Sequence, residues 1–425
     1  MRRFVIWSAL VIAIGQRAAA QPAPPQPPAP APPASPAPPA QPVQPAPPAP
    51  PADTAPLVPP AGPEVAPTAI AEPTPPVEGS AEPVLSNKLA AGKEGFVQLG
   101  MLLQGWFVFD RAGGASTPPS TFRLRRAELH VKGEIVAKRV GFAVMVDPAK
   151  VLEFSSTTIT LESGEQITVR QPSSGGSIAA LQDFFITFMS SYADVSLGQF
   201  KIPVSLEGVT SSSKLLMPER AIASRQFGDR RDLGIRIAKS FTRWGYHAGV
   251  YNGSGLNTRD NNNQKDVALR LEAYPTKGMT IAAVTYDSIG YRDRAGTKDR
   301  WEADVRYETG PFLVQAEYIR ARDVMADGGD PINGQGVYGA IGLTIKGAGQ
   351  GGELQPVVRV GYLDLDTGVD LDPSMGGNDE LVHYEVGANY YLKANEIKLQ
   401  ASYQRQQFDT KAPVNEIIVA AQIAY

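Results

Sequence analysis

From Gly95 to Tyr425, apolar and polar residues alternate in short segments broken by Gly, Asn, Asp and Pro. In the last segment Ile417, Val419, Ala421, Ile423 and Tyr425 fall on one face, with Glu416, Ile418, Ala420, Gln422 and Ala424 on the other. Ile397, Leu399, Ala401 and Tyr403 oppose Lys398, Gln400, Ser402 and Gln404, and Trp301, Ala303, Val305 and Tyr307 oppose Glu302, Asp304, Arg306 and Glu308. A period of two means strands with one greasy and one wet face. The pattern predicts sixteen of them, near 95–109, 121–135, 138–147, 178–190, 193–203, 230–240, 244–252, 265–275, 279–288, 299–308, 311–322, 336–346, 354–366, 381–392, 396–408 and 414–425.

A soluble sandwich would alternate in the same way, so the connections decide. Short gaps (136–137, 191–192, 241–243, 276–278, 309–310, 393–395) take turns with long ones (148–177, 204–229, 253–264, 323–335, 367–380). An even strand number, with turns at one end and loops at the other, describes an all-β transmembrane antiparallel barrel whose termini are both periplasmic. Trp244, Tyr246, Trp301, Tyr307, Phe312, Tyr318, Tyr384 and Tyr390 lie on the apolar faces, several near strand ends where interfacial girdles belong. About sixteen strands enclose a lumen wider than side chains fill, which implies a water-filled pore.

The segments before the barrel read differently. Residues 1–20, with Arg2-Arg3, a short apolar run and Ala18-Ala19-Ala20, read as a signal peptide, with Gln21 as the mature start. Residues 21–94 read as a disordered periplasmic linker: 26 of the 38 prolines lie between Gln21 and Pro83, mixed mainly with Ala. Residues 95–425 are the barrel domain. There is no cysteine, so disulfides and thiolate metal sites are excluded. Residues 95–425 carry 35 Lys/Arg against 37 Asp/Glu, a balance that argues against a nucleic-acid partner. His130, His247 and His383 are the only histidines, and none has a nucleophile and an orienting acid in its local sequence. We therefore expect no catalytic residues, no cofactor and no resident metal. The acidic stretch with Asp364, Asp366, Asp370, Asp372, Asp379 and Glu380 lacks the spacing of a calcium loop and reads as a solvated external loop.

Two blocks resemble the phosphate-selective porins O and P. FRLRRAELHVKGEI, Phe122 to Ile135, is similar to that family's paired-arginine strand. GQFKIPVSLEGVTSSSKLLMPERA, Gly198 to Ala221, is similar to its fifth strand and inward-folding third loop. The order and spacing hold from about Phe96 to Tyr425. The resemblance implies a sixteen-stranded outer-membrane barrel that assembles as a homotrimer. It would pass small hydrophilic solutes, inorganic anions such as phosphate among them, through a constriction lined by arginine and lysine.

The residues themselves offer candidates for that constriction. In the second strand the apolar parity switches at Arg125-Arg126. A β-bulge there would turn both guanidiniums into the lumen; without one, Arg125 sits at the headgroup rim and Arg126 alone faces water. Register places Arg126, Lys132, Arg236, Arg270, Arg306, Arg359 and Lys398 inward, among more numerous inward acids. A pore that selects anions therefore needs a local cluster. The segment from Val204 to Arg231 is the candidate, with Lys214, Arg220, Arg225, Arg230 and Arg231 against Glu207, Glu219 and Asp229. Arg359 is expected to lie far from it. The competing reading is a tethering barrel whose Pro-rich arm meets periplasmic partners.

Overall fold

The computed structural model describes residues 88–425 apart from 111–119, 153, 161–165, 173–179, 261, 289–295, 325–328, 349–350, 369–379 and 410–411. The expected signal peptide, nearly all of the expected linker and Asp370, Asp372 and Asp379 lie outside the described residues. In chain order the strands are β1 (Lys88–Ala91), β2 (Gly95–Asp110), β3 (Ser120–Val136), β4 (Val140–Val146), β5 (Phe154–Thr160), β6 (Gln166–Pro172), β7 (Leu181–Phe188), β8 (Asp194–Lys201), β9 (Arg231–Ser240) and β10 (Trp244–Tyr251). They continue as β11 (Asp266–Ala273), β12 (Met279–Asp287), β13 (Lys298–Thr309), β14 (Phe312–Asp323), β15 (Ile332–Leu343), β16 (Ile345–Ala348), β17 (Gly352–Asp364), β18 (Glu380–Lys393), β19 (Ile397–Phe408) and β20 (Val414–Ala424).

Each wall strand pairs antiparallel with its neighbours, and β2 pairs with both β3 and β20, which closes the barrel. β15 and β16 form one interrupted strand along β17, while β1 and the β5–β6 hairpin stand outside the ring, so the wall has sixteen strands. Closure is forced by the surroundings, because hydrocarbon offers no partner to an unpaired backbone edge. The seam ends on Tyr425, whose N–H donates to Met101 O at 2.9 Å while Met101 N–H donates to Tyr425 O at 2.9 Å. Below that point β20 has run out. There β1 takes its place, pairing Lys88–Ala91 with Gly95–Gln98. Residues 88–91, which fall inside the segment expected to be linker, thus form a strand and cover an edge that would otherwise stay open.

Outward side chains follow the period of two: Leu99, Leu103 and Phe107 on β2, Ile235 and Ile237 on β9, and Ile417, Val419 and Ile423 on β20 are exposed large apolar residues. The inner wall departs from simple polar filling along one arc. Leu313 and Ile319 of β14, Ala340 of β15, Val357 and Leu363 of β17 and Leu381 of β18 face inward yet are buried. They are covered by residues 202–230, the third long loop, which folds into the barrel.

Two outcomes follow. Deleting residues 21–83 should leave circular dichroism and heat-shifted gel mobility unchanged, since all described pairing lies beyond residue 87; loss of the folded band would make the arm structural. Tyr425→Asp should lower the amount of barrel in the outer membrane, because it places a charge at the apolar end of the seam. Normal abundance of that variant, measured by quantitative immunoblot, would contradict the role given to the seam.

Candidate functional site

The third loop leaves β8 at Lys201 and returns to β9 at Arg231. It contains a short helix, α1 (Leu206–Val209), a 3₁₀ turn at Ser212–Lys214 and a π turn at Ser224–Gly228. Ser205 starts it in the left-handed region (φ 71°), and its hydroxyl accepts from Gly208 N–H at 3.0 Å. Its Cβ occupies the space a side chain at residue 228 would need: a Cβ on Gly228 would lie 2.1 Å from it. The two limbs of the loop cross there, which is why a glycine stands at 228.

Three apolar contacts seat the loop. Ile202 and Val204 pack with Phe200, Tyr251, Ala268, Val284 and Tyr286; Leu216 and Met217 pack on Leu313, Ala340 and Val357; Phe227 packs on Ile319, Ala321, Leu363 and Leu381. Between these contacts the wall supplies polar partners for the irregular loop backbone, which must be paired once buried. Lys398 donates to Leu215 O at 2.9 Å, Asn389 to Leu216 O at 2.8 Å and Gln422 to Ser213 O at 3.1 Å. Arg300 Nε donates to Phe227 O at 3.2 Å. In the other direction, Ser205 N–H donates to Glu302 at 2.6 Å and the Ser224 hydroxyl to Glu317 at 3.2 Å.

Arg359 is the largest of these anchors. It pairs with Glu385 on the neighbouring strand and with Glu207 of the loop at 3.0 Å, and its Nη2 donates to Glu219 O at 2.8 Å. The expectation that Arg359 lies far from the loop is overturned: β17 brings it directly beneath.

The parity switch at Arg125-Arg126 is a β-bulge. Gln104 pairs with Arg126 and Gly105 with Leu124, so Arg125 is the extra residue. Both guanidiniums point inward and meet on one carboxylate: Arg125 Nη2 lies 2.7 Å and Arg126 Nη2 3.1 Å from Glu219. Arg125 also lies over the Trp106 ring, 5.5 Å from its centroid. Burial pushes the Glu219 carboxyl up, but Arg126, Arg125 and Arg225 outweigh it and hold it well below the usual carboxylate range. The same balance lowers Asp229, where burial is outweighed by Lys201, Arg220 and Arg231.

The remaining candidates scatter. Arg220 is buried within the loop, donating to Glu207 O at 2.7 Å and lying 3.3 Å from Asp229. Arg270 has its charge met by Asp304 at 2.7 Å and Glu272 at 2.7 Å, so it braces the wall and is not free for an anion. Lys132, Lys214 and Arg225 are exposed. Arg236 lies over the Phe200 ring at 4.4 Å. Residues that the pattern did not single out as a unit (Glu219 between two arginines, Glu207 on Arg359, Glu302 under Ser205) hold the loop in place.

The opposite arc of the inner wall is different. Gly141 and Ala143 of β4, Thr187 of β7, Ser196 of β8, Ala238 of β9 and Gly245 and Gly249 of β10 face inward with little bulk. Inward Asp183, Phe185, Thr187, Arg236, Ala238 and His247 each keep part of their surface accessible, whereas the wall under the loop is buried. Where the two arcs meet, Arg125, Arg126, Lys201, Arg220 and Arg231 face Glu128, Asp183, Glu219 and Asp229.

Residues 97–294 match the family model for phosphate-selective porin O and P, a span that includes both blocks of resemblance. No curated protein matches the chain. Among solved structures, Salmonella typhi OmpF in complex with daunomycin aligns with a TM-score of 0.52 at 11% identity, covering 80% of this chain and 100% of that one. A loop L8 deletion mutant of OmpT, an outer membrane protein of Vibrio cholerae, aligns with a TM-score of 0.50 at 12% identity, covering 78% and 100%. The fold is that of outer-membrane porins.

Arg359→Ala should leave Glu207 and Glu385 buried without their cation, a loss of about 3–5 kcal/mol. The temperature at which the folded gel band converts to the unfolded one should fall, and the loop should become cleavable by protease. Arg306→Ala, which breaks the part-exposed contacts with Glu308 and Gln315, should change either readout little. Equal effects of the two would contradict the anchoring role.

Proposed function

We infer that the protein is an outer-membrane channel through which small hydrophilic solutes diffuse, and not an enzyme. The observation that carries this reading is the asymmetry of the inner wall. The third loop is pinned to one arc, and on the other arc inward Asp183, Phe185, Thr187, Arg236, Ala238 and His247 keep accessible surface. A passage narrowed by a fixed loop is a size filter; it needs no moving part and no chemistry.

The finer reading is a weak preference for anions at the narrowing. Five basic side chains stand there against four acidic ones, so the local balance is positive although the lumen as a whole is not. A small net charge in a confined, poorly screened site acts strongly on a passing ion, while wider regions are screened within ~8–10 Å. Arg125 and Arg126 contribute two of the five charges, and Glu219 fixes their orientation. A phosphate oxyanion reaching them must compete with Glu219 for the same donors, which favours weak selectivity over tight binding. Outer-membrane lipid surrounds the barrel, and a homotrimer is the assembly the family resemblance supports. Cross-linking in native membranes tests the trimer: a ladder ending at three copies supports it, and a monomer band alone rejects it.

Replacing both Arg125 and Arg126 with Ala reverses the local balance to three basic against four acidic. In planar bilayers under a salt gradient, the reversal potential should then move toward cation selectivity. An unchanged potential would confine the pair to positioning the loop. A protein that carries no current at all would remove the channel reading and favour a tethering barrel.

A further inference from the structure

The open arc of the inner wall carries an arginine with no carboxylate in contact, Asp183 acting on it only from beyond ion-pair distance. Arg236 faces inward on β9 with Ser196 and Gly249 as its cross-strand partners. Among the described residues, no carboxylate lies within ion-pair distance of it. The buried arginines of the wall do have one: Arg126 meets Glu219, Arg270 meets Asp304, Arg300 meets Asp323 and Arg359 meets Glu385. Arg236 instead lies over aromatic rings, with its guanidinium carbon 4.4 Å from the Phe200 centroid and 5.9 Å from that of Phe185. Its Nε has no hydrogen-bond partner.

Two more polar groups beside it are unpartnered. They are the hydroxyl of Tyr251, a residue with 0% exposure, and Nδ1 of His247. Both belong to β10, at positions flanking the Gly249 that pairs with Arg236. Glycine makes the arrangement possible, since a Cβ on Gly249 would lie 2.6 Å from the Tyr251 hydroxyl oxygen. The phenol therefore leans over Gly249 toward the guanidinium. The buried arginines of the wall each meet a carboxylate, so a partly accessible arginine without one points to a ligand that supplies it.

We propose that Arg236 forms a subsite within the bore for organic monocarboxylates, with Phe185 receiving the apolar body of the solute. The proposal rests on the reading of the protein as a channel. A carboxylate matches the planar fork of one arginine. Multiply charged phosphate would call for a second free cation. The basic neighbours are already engaged, Arg231 with Asp183 at 2.8 Å and Arg270 with Asp304 at 2.7 Å. Phe185 keeps part of its ring accessible on the bore side, giving a flat apolar surface that inorganic anions cannot use.

The test is single-channel current in KCl, with benzoate, acetate or inorganic phosphate added to one side. Block is normalised to each variant's own KCl current. Benzoate should half-block the parent at a concentration about tenfold below acetate or phosphate, the gain of one apolar contact on top of a shared ion pair. Arg236→Gln should raise the benzoate half-block by about tenfold or more. Phe185→Leu should weaken benzoate while leaving acetate where it was. Arg236→Lys, which keeps the charge in a fold-tolerant form but loses the fork, should fall between parent and Arg236→Gln. Equal benzoate block of parent and Arg236→Gln, or stronger block by phosphate than by benzoate, overturns the subsite while leaving the channel intact. Absence of any KCl current in the parent rejects the channel and the subsite together.

Discussion

Hydrocarbon cannot hydrogen-bond a peptide group, and the rest of this structure depends on that constraint. It requires the wall to close, so β20 must reach β2, and Tyr425 must meet Met101. It also explains β1. The foot of β2 extends below the end of β20, and four residues of the chain that precedes it fold back to pair with that foot. Closure with sixteen strands then creates a second problem, a lumen too wide for wall side chains to fill. The third loop answers it by occupying one arc.

Holding an irregular loop inside a barrel reverses the usual roles of core and surface. Here the wall is the template. Its inward apolar residues meet Leu216, Met217 and Phe227, and its inward Lys398, Asn389, Gln422 and Arg300 receive the loop's carbonyl groups. The ion pairs are double-ended in the same way. Glu207 and Glu219 come from the loop, while Arg359, Arg125 and Arg126 come from three positions on the wall. Charges that look like free anion sites along the sequence are mostly spent on this seating. Arg236 stands outside this seating, over the rings of Phe200 and Phe185.

The strands were legible because alternation and turn residues are local signals that survive without knowledge of neighbours. The bulge was legible too, since a parity switch at Arg125-Arg126 has no other regular explanation once both flanks are strand. The partner of those arginines was not. Glu219 lies 94 and 93 residues away from them and becomes their neighbour only when the loop turns inward. Arg359 was misplaced for the same reason, its contact to Glu207 spanning 152 residues. One local clue did exist. Phe312-Leu313-Val314 and Val357-Val358 are apolar on both faces, which a strand between lipid and water has no reason to be. Such runs mark where something lies against the inner wall.

The loop covers one arc of the inner wall and leaves the other to water. The chain has no cysteine, so single cysteines can report on each arc without background. Ala238→Cys places a thiol on the open arc, and Ala340→Cys places one beneath Leu216 and Met217, where the native residue is 2% exposed. A charged, membrane-impermeant thiol reagent added during current recording should modify Ala238→Cys quickly and reduce its current, and should leave Ala340→Cys untouched. Equal reaction at both positions, or reaction at Ala340→Cys alone, would contradict the account.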